Sequence, residues 1–202
     1  MVTVWGRTNS VNVQKVMWAL AELSVPHHRI DAGGEFGVVG TPEYRRMNPN
    51  ALVPTVQDGD LILWESNAIV RYLYAKYGPP RPPEHRAVAD KWMDWTANRV
   101  QAPLRTLFWG YVRTLPERRD ATALEAARAQ AAGVMAIADE ALAAQPYLAG
   151  GELTMGDIPL GCYMNRWFQL PIERPSHPHL AAWYGRLRAR SAYREHVMVP
   201  LT

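Results

Sequence analysis

Two clusters of polar side chains follow apolar segments that are predicted as β-strands. The first cluster follows residues 2–5 and carries hydroxyl and amide groups: Thr8, Asn9, Ser10 and Asn12. The second is Glu65-Ser66, directly after residues 61–64. In open α/β sheets, ligands bind beyond the carboxyl ends of the strands, where helix N-termini offer backbone N–H groups. We therefore predict a site for an anion or a zwitterion, with an amine at Glu65 and a carboxylate at Ser66.

Both clusters also have a simpler interpretation. Serine and asparagine are common N-cap residues, so Ser10, Asn12 or Ser66 could serve only to accept a hydrogen bond from the first turn of a helix. Local sequence alone leaves the two interpretations open.

Other residue types with known chemistry show weaker patterns. The glycines of residues 33–40 lack the spacing of a dinucleotide-binding loop or a P-loop, and are interpreted as a flexible connection. The histidine pairs at 27–28 and at 177 and 179 have no partners at metal-ligand spacing, so we expect no metal. The single cysteine, Cys162, excludes an intrachain disulfide and is interpreted as a packing residue.

Composition and charge limit the class of protein. The 202 residues are 48% hydrophobic and 20% charged, which is typical of a globular protein with one large or two small domains. No apolar run reaches the length of a membrane span and no leader pattern is seen, so we expect a cytoplasmic protein without a membrane partner. The net charge is +3, and its basic excess lies in residues 80–202, which is too little to indicate nucleic-acid binding.

Residues 1–79 alternate between strand and helix signals in the order βαβαββα. The predicted strands are residues 2–5, 29–31, 53–56 and 61–64. The predicted helices contain residues 13–21, begin at Thr41-Pro42-Glu43, and run from Glu65-Ser66 to Tyr77. The last two strands flank Asp58-Gly59, a pair that favours a tight hairpin. This order predicts a small mixed sheet with helices on its faces.

A proline-rich segment at residues 78–83 marks the predicted domain boundary, because proline interrupts helices and strands. We assign a first domain to residues 1–79, a linker to 80–86 and an all-helical domain to 87–202. Helical stretches are predicted at residues 86–112, with a bend at Pro103, and at 120–144, 155–169 and 178–189. Residues 153–158 have the pattern of a capping box with a hydrophobic staple.

Four segments together resemble the cytosolic glutathione transferase family, in its bacterial, theta-like, serine-type form. They are GRTNSVNVQKV (6–16), NPNALVP (48–54), LWESNAI (63–69) and LTMGDI (153–158). The resemblance covers essentially the whole chain. It implies a thioredoxin-like N-terminal domain, an all-helical C-terminal domain, glutathione as co-substrate and a homodimer.

The resemblance also implies roles for individual residues. Glu65 and Ser66 match the pair that holds the γ-glutamyl group, and Val53 matches the residue before a cis-proline whose backbone pairs with the cysteinyl group. Ser10 matches the serine that activates the thiol, with Asn12 as a second donor, and Thr8 or Asn9 as alternatives. The remaining positions expected to bind glutathione are Asn9, Asn50, Leu52 and Pro54.

The function implied is attack of the glutathione thiolate on a small hydrophobic electrophile. Residues 1–79 contain no cysteine, so a mixed disulfide with glutathione is excluded there, and a hydroxyl that donates to the thiolate would lower the thiol pKa. We expect the electrophile in an apolar cleft between the domains, with core packing as the alternative for its wall: Arg105, Phe108, Trp109, Tyr111 and Trp167. The alternative functions are glutathione-dependent disulfide or peroxide reduction, and a non-catalytic binding or regulatory protein.

Overall fold

The computed structural model describes residues 1–202, which form two compact units. The first unit contains residues 1–80 and 192–199, and the second contains residues 81–191 and 200–202. The boundary expected near residue 79 falls beside this division, whereas nothing in the sequence pattern indicates that residues 192–199 join the first unit. No helix is both long and apolar enough to cross a membrane.

The first unit is a four-stranded sheet with helices. Its elements are β1 (Val2–Trp5), α1 (Val11–Glu22), β2 (His27–Ile30), α2 (Pro42–Met47), β3 (Thr55–Asp58), β4 (Leu61–Trp64) and α3 (Ser66–Tyr77). The strands lie in the order β2-β1-β3-β4. Strand β1 is parallel to β2 and antiparallel to β3, and β3 is antiparallel to β4. The predicted order βαβαββα is confirmed.

Local signals account for most of these elements. Val2 and Val4 of β1 are buried on the core face, as the period of a strand requires. Helix α2 begins as the sequence predicts, because the Thr41 hydroxyl accepts a hydrogen bond from the Tyr44 N–H at 3.2 Å and Pro42 occupies the first helical position.

Several predicted boundaries in this unit are wrong by one or two residues. The second strand begins at His27 because its parallel register pairs that residue with Val2 of β1. Strand β3 begins only at Thr55, after the cis bond between Val53 and Pro54. The hairpin loop is 59–60 rather than 58–59, because Asp58 is still paired with Leu61 in the ladder. Gly59, with a φ of 62°, is the first residue of the turn.

The second unit is entirely helical. Its helices are α4 (Pro83–Trp95), α5 (Gln101–Phe108), α6 (Ala121–Ala143), α7 (Asp157–Gln169) and α8 (Pro178–Arg188). The stretch predicted at 86–112 is a helical run without a break from Pro83 to Arg113, in which Thr96–Val100 and Trp109–Arg113 form π turns. The first π turn lies just before Pro103, which has no N–H to continue the regular ladder. Residues 83–86, assigned to the linker, are therefore helical.

The hydrogen bonds of the predicted capping box form in the turn before α7, although the N-cap residue of that helix is Gly156 and not Thr154. Asp157 accepts a hydrogen bond from the Thr154 N–H at 2.9 Å, and the Thr154 hydroxyl accepts one from the Gly156 N–H at 3.2 Å. The same carboxylate also accepts from the Leu148 N–H and from the Trp183 indole at 2.9 and 3.0 Å. Asp157 thereby joins the preceding loop and α8 to α7. Helix α7 begins at this residue, two positions later than predicted.

The last helix, α9 (Ser191–His196), contributes most of its residues to the first unit. Tyr193 is buried there against Trp18 of α1, with ring centroids 4.8 Å apart in an edge-to-face arrangement. This contact supplies an apolar anchor for the returning chain.

Candidate active site

Ser10 occupies the N-cap position of α1 without capping it. Its backbone is extended, with φ −83° and ψ 119°, and its hydroxyl makes no capping hydrogen bond. The first turn is held instead by the backbone, since the Gln14 N–H donates to the Ser10 carbonyl at 2.9 Å. Thr8 also acts through its carbonyl, which accepts from the Gln14 side chain at 3.0 Å. The Ser10 hydroxyl is therefore available to a ligand.

Asn12 joins the two polar clusters. Its amide oxygen accepts a hydrogen bond from the Ser66 hydroxyl at 3.2 Å and another from the Lys15 ammonium at 3.0 Å. The N-termini of α1 and α3 therefore meet through side chains that are 54 residues apart in the chain. Both helix ends present positive backbone dipoles to the same place.

Glu65 has an unusual backbone conformation at the start of α3. Its φ is 71° and its ψ is 108°, in the left-handed half of the map that glutamate rarely adopts. The side chain is exposed and forms no capping hydrogen bond. Ser66, the first residue of the helix, is only 6% exposed. Strain of this kind is concentrated at ligand sites, where the surrounding fold maintains it.

The loop before β3 is held by a buried polar network. Asn48 donates to the Leu52 carbonyl at 2.9 Å and to the Thr55 hydroxyl at 3.1 Å, and the Tyr44 hydroxyl also donates to the Leu52 carbonyl at 2.8 Å. The Asn48 amide oxygen accepts from the backbone and side-chain N–H groups of Asn50. The network fixes the loop that carries Asn50 and Leu52, directly before Val53.

The peptide bond between Val53 and Pro54 is cis, as the resemblance implies. The Val53 N–H and carbonyl take part in none of the loop's backbone hydrogen bonds and precede the β3 ladder. An extended ligand segment can therefore pair with this residue in the manner of an added strand.

Two basic residues of this region were not singled out from the sequence. Lys15 is buried in α1. Its spacing of three residues from Asn12 could have indicated a contact between the two side chains on one face of the helix. Arg7 lies against the glycine loop, since a Cβ placed on Gly33 would approach the Arg7 guanidinium to 3.0 Å. Glycine is favoured at position 33 by its φ of 77°.

The second unit has an open cavity of about 630 Å³ along the first π turn and α5. Its lining combines small, polar and aromatic side chains: Ala97, Gln101, Ala102, Arg105, Thr106 and Trp109. Two of the five residues expected at the electrophile, Arg105 and Trp109, thus line one cavity.

The other three residues of that expected wall lie elsewhere. Trp167 is 1% exposed and Phe108 is 5% exposed, so the core alternative describes both. The Arg166 guanidinium lies over the Phe108 ring, 4.0 Å from its centroid, in a cation–π contact. Tyr111 does not line the cavity, and its carbonyl accepts a hydrogen bond from Arg119 at 3.0 Å. Helical spacing alone does not distinguish the buried Phe108 and Trp167, or the half-buried Tyr111, from the two residues that line the cavity.

Comparison with known families identifies the family of the chain. The profile of the glutathione S-transferase N-terminal domain matches residues 1–75, and that of the C-terminal domain matches residues 96–191. The chain belongs to the glutathione S-transferase family. Transferase activity and the use of glutathione as co-substrate follow from this membership, and the all-helical second unit completes the transferase fold.

Individual relatives of this transferase support the assignment. It is 42% identical over 208 residues to glutathione S-transferase GstB of Escherichia coli strain K12, with 100% of both chains covered. A crystal structure of the theta class enzyme of Xanthomonas axonopodis pv. citri with glutathione bound is 54% identical with a TM-score of 0.96, and the match covers 100% of this chain and 99% of that one. A maize glutathione S-transferase I in complex with an atrazine glutathione conjugate is 25% identical with a TM-score of 0.88, over 98% of both chains. These relatives favour transfer over the reductase and non-catalytic alternatives.

Proposed function

We propose that this transferase binds glutathione through Glu65, Ser66 and Val53, and activates its thiol with Ser10 and Asn12 for attack on a small hydrophobic electrophile. The observation that carries the proposal is the hydrogen bond between Ser66 and Asn12, because it unites the γ-glutamyl and thiol ends of the proposed site. The site therefore extends from the start of α3 to the start of α1.

Each group of glutathione has a chemical counterpart in this site. The exposed Glu65 carboxylate accepts the α-amino group, while the Ser66 hydroxyl and the N-terminal N–H groups of α3 donate to the α-carboxylate. Val53 pairs its backbone N–H and carbonyl with the cysteinyl amide groups. The rest of the cradle is formed by Asn9, Asn50, Leu52 and Pro54.

Activation of the thiol is electrostatic. The thiol proton leaves to solvent, and the thiolate is stabilised by hydrogen bonds from Ser10 and Asn12 and by the dipole of α1. The sulfur then supplies the electron pair of the new carbon–sulfur bond, and the leaving group departs with the electrons of the bond that breaks. The chain supplies ionisation and orientation rather than a covalent group.

The proposal is tested by calorimetry with glutathione and by an ultraviolet titration of the bound thiolate. We expect binding in the millimolar range or tighter, and a thiol pKa below that of free glutathione. Absence of binding would overturn the proposal. Parallel turnover assays with an aryl halide and with a disulfide substrate distinguish transfer from reduction, and faster turnover of the disulfide would overturn the transfer step.

We infer that the electrophile occupies the cavity of the second unit. Trp109 offers an exposed aromatic face, and the Arg105 guanidinium would pair with an anionic group on an otherwise apolar molecule. Replacing Arg105 with Met should raise KM for an aryl halide that carries a carboxylate and leave KM for its uncharged analogue unchanged. Equal effects on both substrates would contradict the role of Arg105.

We also infer a cytoplasmic homodimer. The edge strand β4 and the neighbouring loop expose apolar side chains that a partner would cover: Leu52, Leu61, Ile62 and Trp64. Light scattering should give twice the chain mass of 22.8 kDa. Ile62→Lys should shift the equilibrium to the monomer, whereas Leu115→Lys, at a site 57% exposed outside this patch, should not. A monomeric wild-type chain would contradict the dimer.

A further inference from the structure

Lys15 is a buried cation beside the proposed thiol site. It lies on α1, is 2% exposed, and its ammonium is 3.0 Å from the Asn12 amide oxygen. Lysine is almost never fully buried unless a partner compensates its charge, because removing an ammonium from water is costly. The Asn12 oxygen is one of the groups that stabilise this buried charge.

The ammonium determines which way the Asn12 amide faces. An ammonium has donors and no acceptor, so the Asn12 atom that it contacts is the oxygen. The Ser66 hydroxyl donates to the same oxygen. The two N–H donors of Asn12 therefore point away from Lys15, and no group of the chain accepts from them. The site thus contains a side chain with its donors already oriented and unused.

Ser66 and Lys15 differ in what they can do once glutathione is bound. The Ser66 hydroxyl has a single proton, which the proposed function assigns to the γ-glutamyl carboxylate. If that proton turns to the ligand, Asn12 loses one of its two anchors. Lys15 has three protons and keeps its contact.

We propose that Lys15 is a positioning residue that holds the N–H donors of Asn12 toward the glutathione sulfur when Ser66 turns to the ligand carboxylate. Its positive charge also favours the thiolate over the thiol. This inference rests on the proposed function, since it assumes that the sulfur lies at the N-terminus of α1.

The test compares Lys15→Met with Lys15→Arg, each alone and combined with Asn12→Ala. The readouts are the pKa of bound glutathione, its dissociation constant, and kcat and KM for an aryl halide. Lys15→Met should raise the thiol pKa by about one unit, the size expected for one charge-assisted hydrogen bond. Lys15→Arg should restore most of the wild-type value. In the Asn12→Ala background, Lys15→Met should raise the thiol pKa by less than half as much as it does in the wild type.

An unchanged thiol pKa in Lys15→Met would overturn the inference, and so would an equal rise in both backgrounds, because the effect would not pass through Asn12. If Lys15→Met does not fold, Asn12→Leu provides the test, since it removes both N–H donors at similar volume and adds no charge. A thiol pKa unchanged by Asn12→Leu overturns the inference, because the donors that Lys15 holds would then have no effect on the sulfur. Calorimetry separates the two levels: no glutathione binding by the wild type refutes the proposed function itself, whereas normal binding with an unaltered pKa refutes only the role of Lys15.

Discussion

The hydroxyl of Ser66 donates a hydrogen bond to the amide oxygen of Asn12 at 3.2 Å, and this bond connects the first turns of α3 and α1. It joins the polar cluster at the start of α1 to the one at the start of α3, although the sequence around each is also typical of a helix N-cap. The bond also has a chemical consequence, because Ser66 must choose between Asn12 and an incoming carboxylate. Binding of glutathione and orientation of the thiol donors are therefore coupled in the proposed site.

Ser66→Ala should weaken glutathione binding about tenfold to a hundredfold, the range for one hydrogen bond to a charged group. The measurement is calorimetry with glutathione. Ser191→Ala is a matched control, since Ser191 is the first residue of the short helix α9 and is exposed. Equal affinities of the Ser66 variant and the wild type would exclude Ser66 from the γ-glutamyl site.

Ser10→Ala should raise the pKa of bound glutathione and leave the free energy of unfolding nearly unchanged. Its hydroxyl makes no capping bond, so the usual loss of a cap does not apply. Thr41→Ala is the contrasting variant, because the Thr41 hydroxyl does cap α2, and it should cost about 1 kcal/mol. Thiolate titration and urea unfolding provide the two measurements. A large loss of stability in Ser10→Ala would instead indicate a structural role.

Asp58 should stabilise the first unit in a pH-dependent manner. Burial opposes its ionisation, but hydrogen bonds from Lys76, Tyr77 and Tyr72 outweigh burial and lower the Asp58 pKa to about 2. Because the folded-state pKa lies below the ordinary value of 3.8, the contribution is present above that value and is lost as the pH falls toward 2. Asp58→Asn should cost about 1–2 kcal/mol at neutral pH. In urea unfolding, a cost that stays constant down to the lowest pH would refute the assignment.

Asp157 should show the opposite pH dependence. Burial raises its pKa to about 6, although the hydrogen bonds from Leu148, Thr154 and Trp183 favour the ionised form. The folded state therefore binds the proton more tightly than the unfolded state, and this residue's contribution to stability decreases as the pH rises from about 3.8 to about 6. Urea unfolding across this pH range should show that the free energy of unfolding of the wild type decreases with pH. The Asp157→Asn variant should lack this contribution to the decrease.

Asp157→Ala should destabilise the chain by about 3 kcal/mol or more, because the buried Leu148 N–H and Trp183 indole N–H lose their acceptor. Asp120→Ala is the matched control, since Asp120 caps α6 through one exposed bond to the Ala123 N–H. That variant should lose only about 1 kcal/mol. Similar losses in the two variants would show that Asp157 acts as an ordinary cap.

Local chemistry in the sequence determined the order of elements. Alternating and helical apolar periods predict β1, α1 and the hairpin, and the Thr41-Pro42 signal marks the start of α2. These features depend on residues within a few positions of one another, which is why they are readable without a fold. The same holds for the polar clusters at Ser10 and at Glu65-Ser66, whose positions after predicted strands indicate a ligand site.

Only the tertiary structure decided which polar groups meet and which are used. Ser10 and Ser66 have the same local signature, yet Ser10 leaves its hydroxyl unused while Ser66 is buried against Asn12. Long-range packing likewise buries Lys15 beside Asn12, and Trp167 in the helical core. Burial and hydrogen-bond partners depend on contacts between distant segments, and the local spacing of residues carries no record of those contacts.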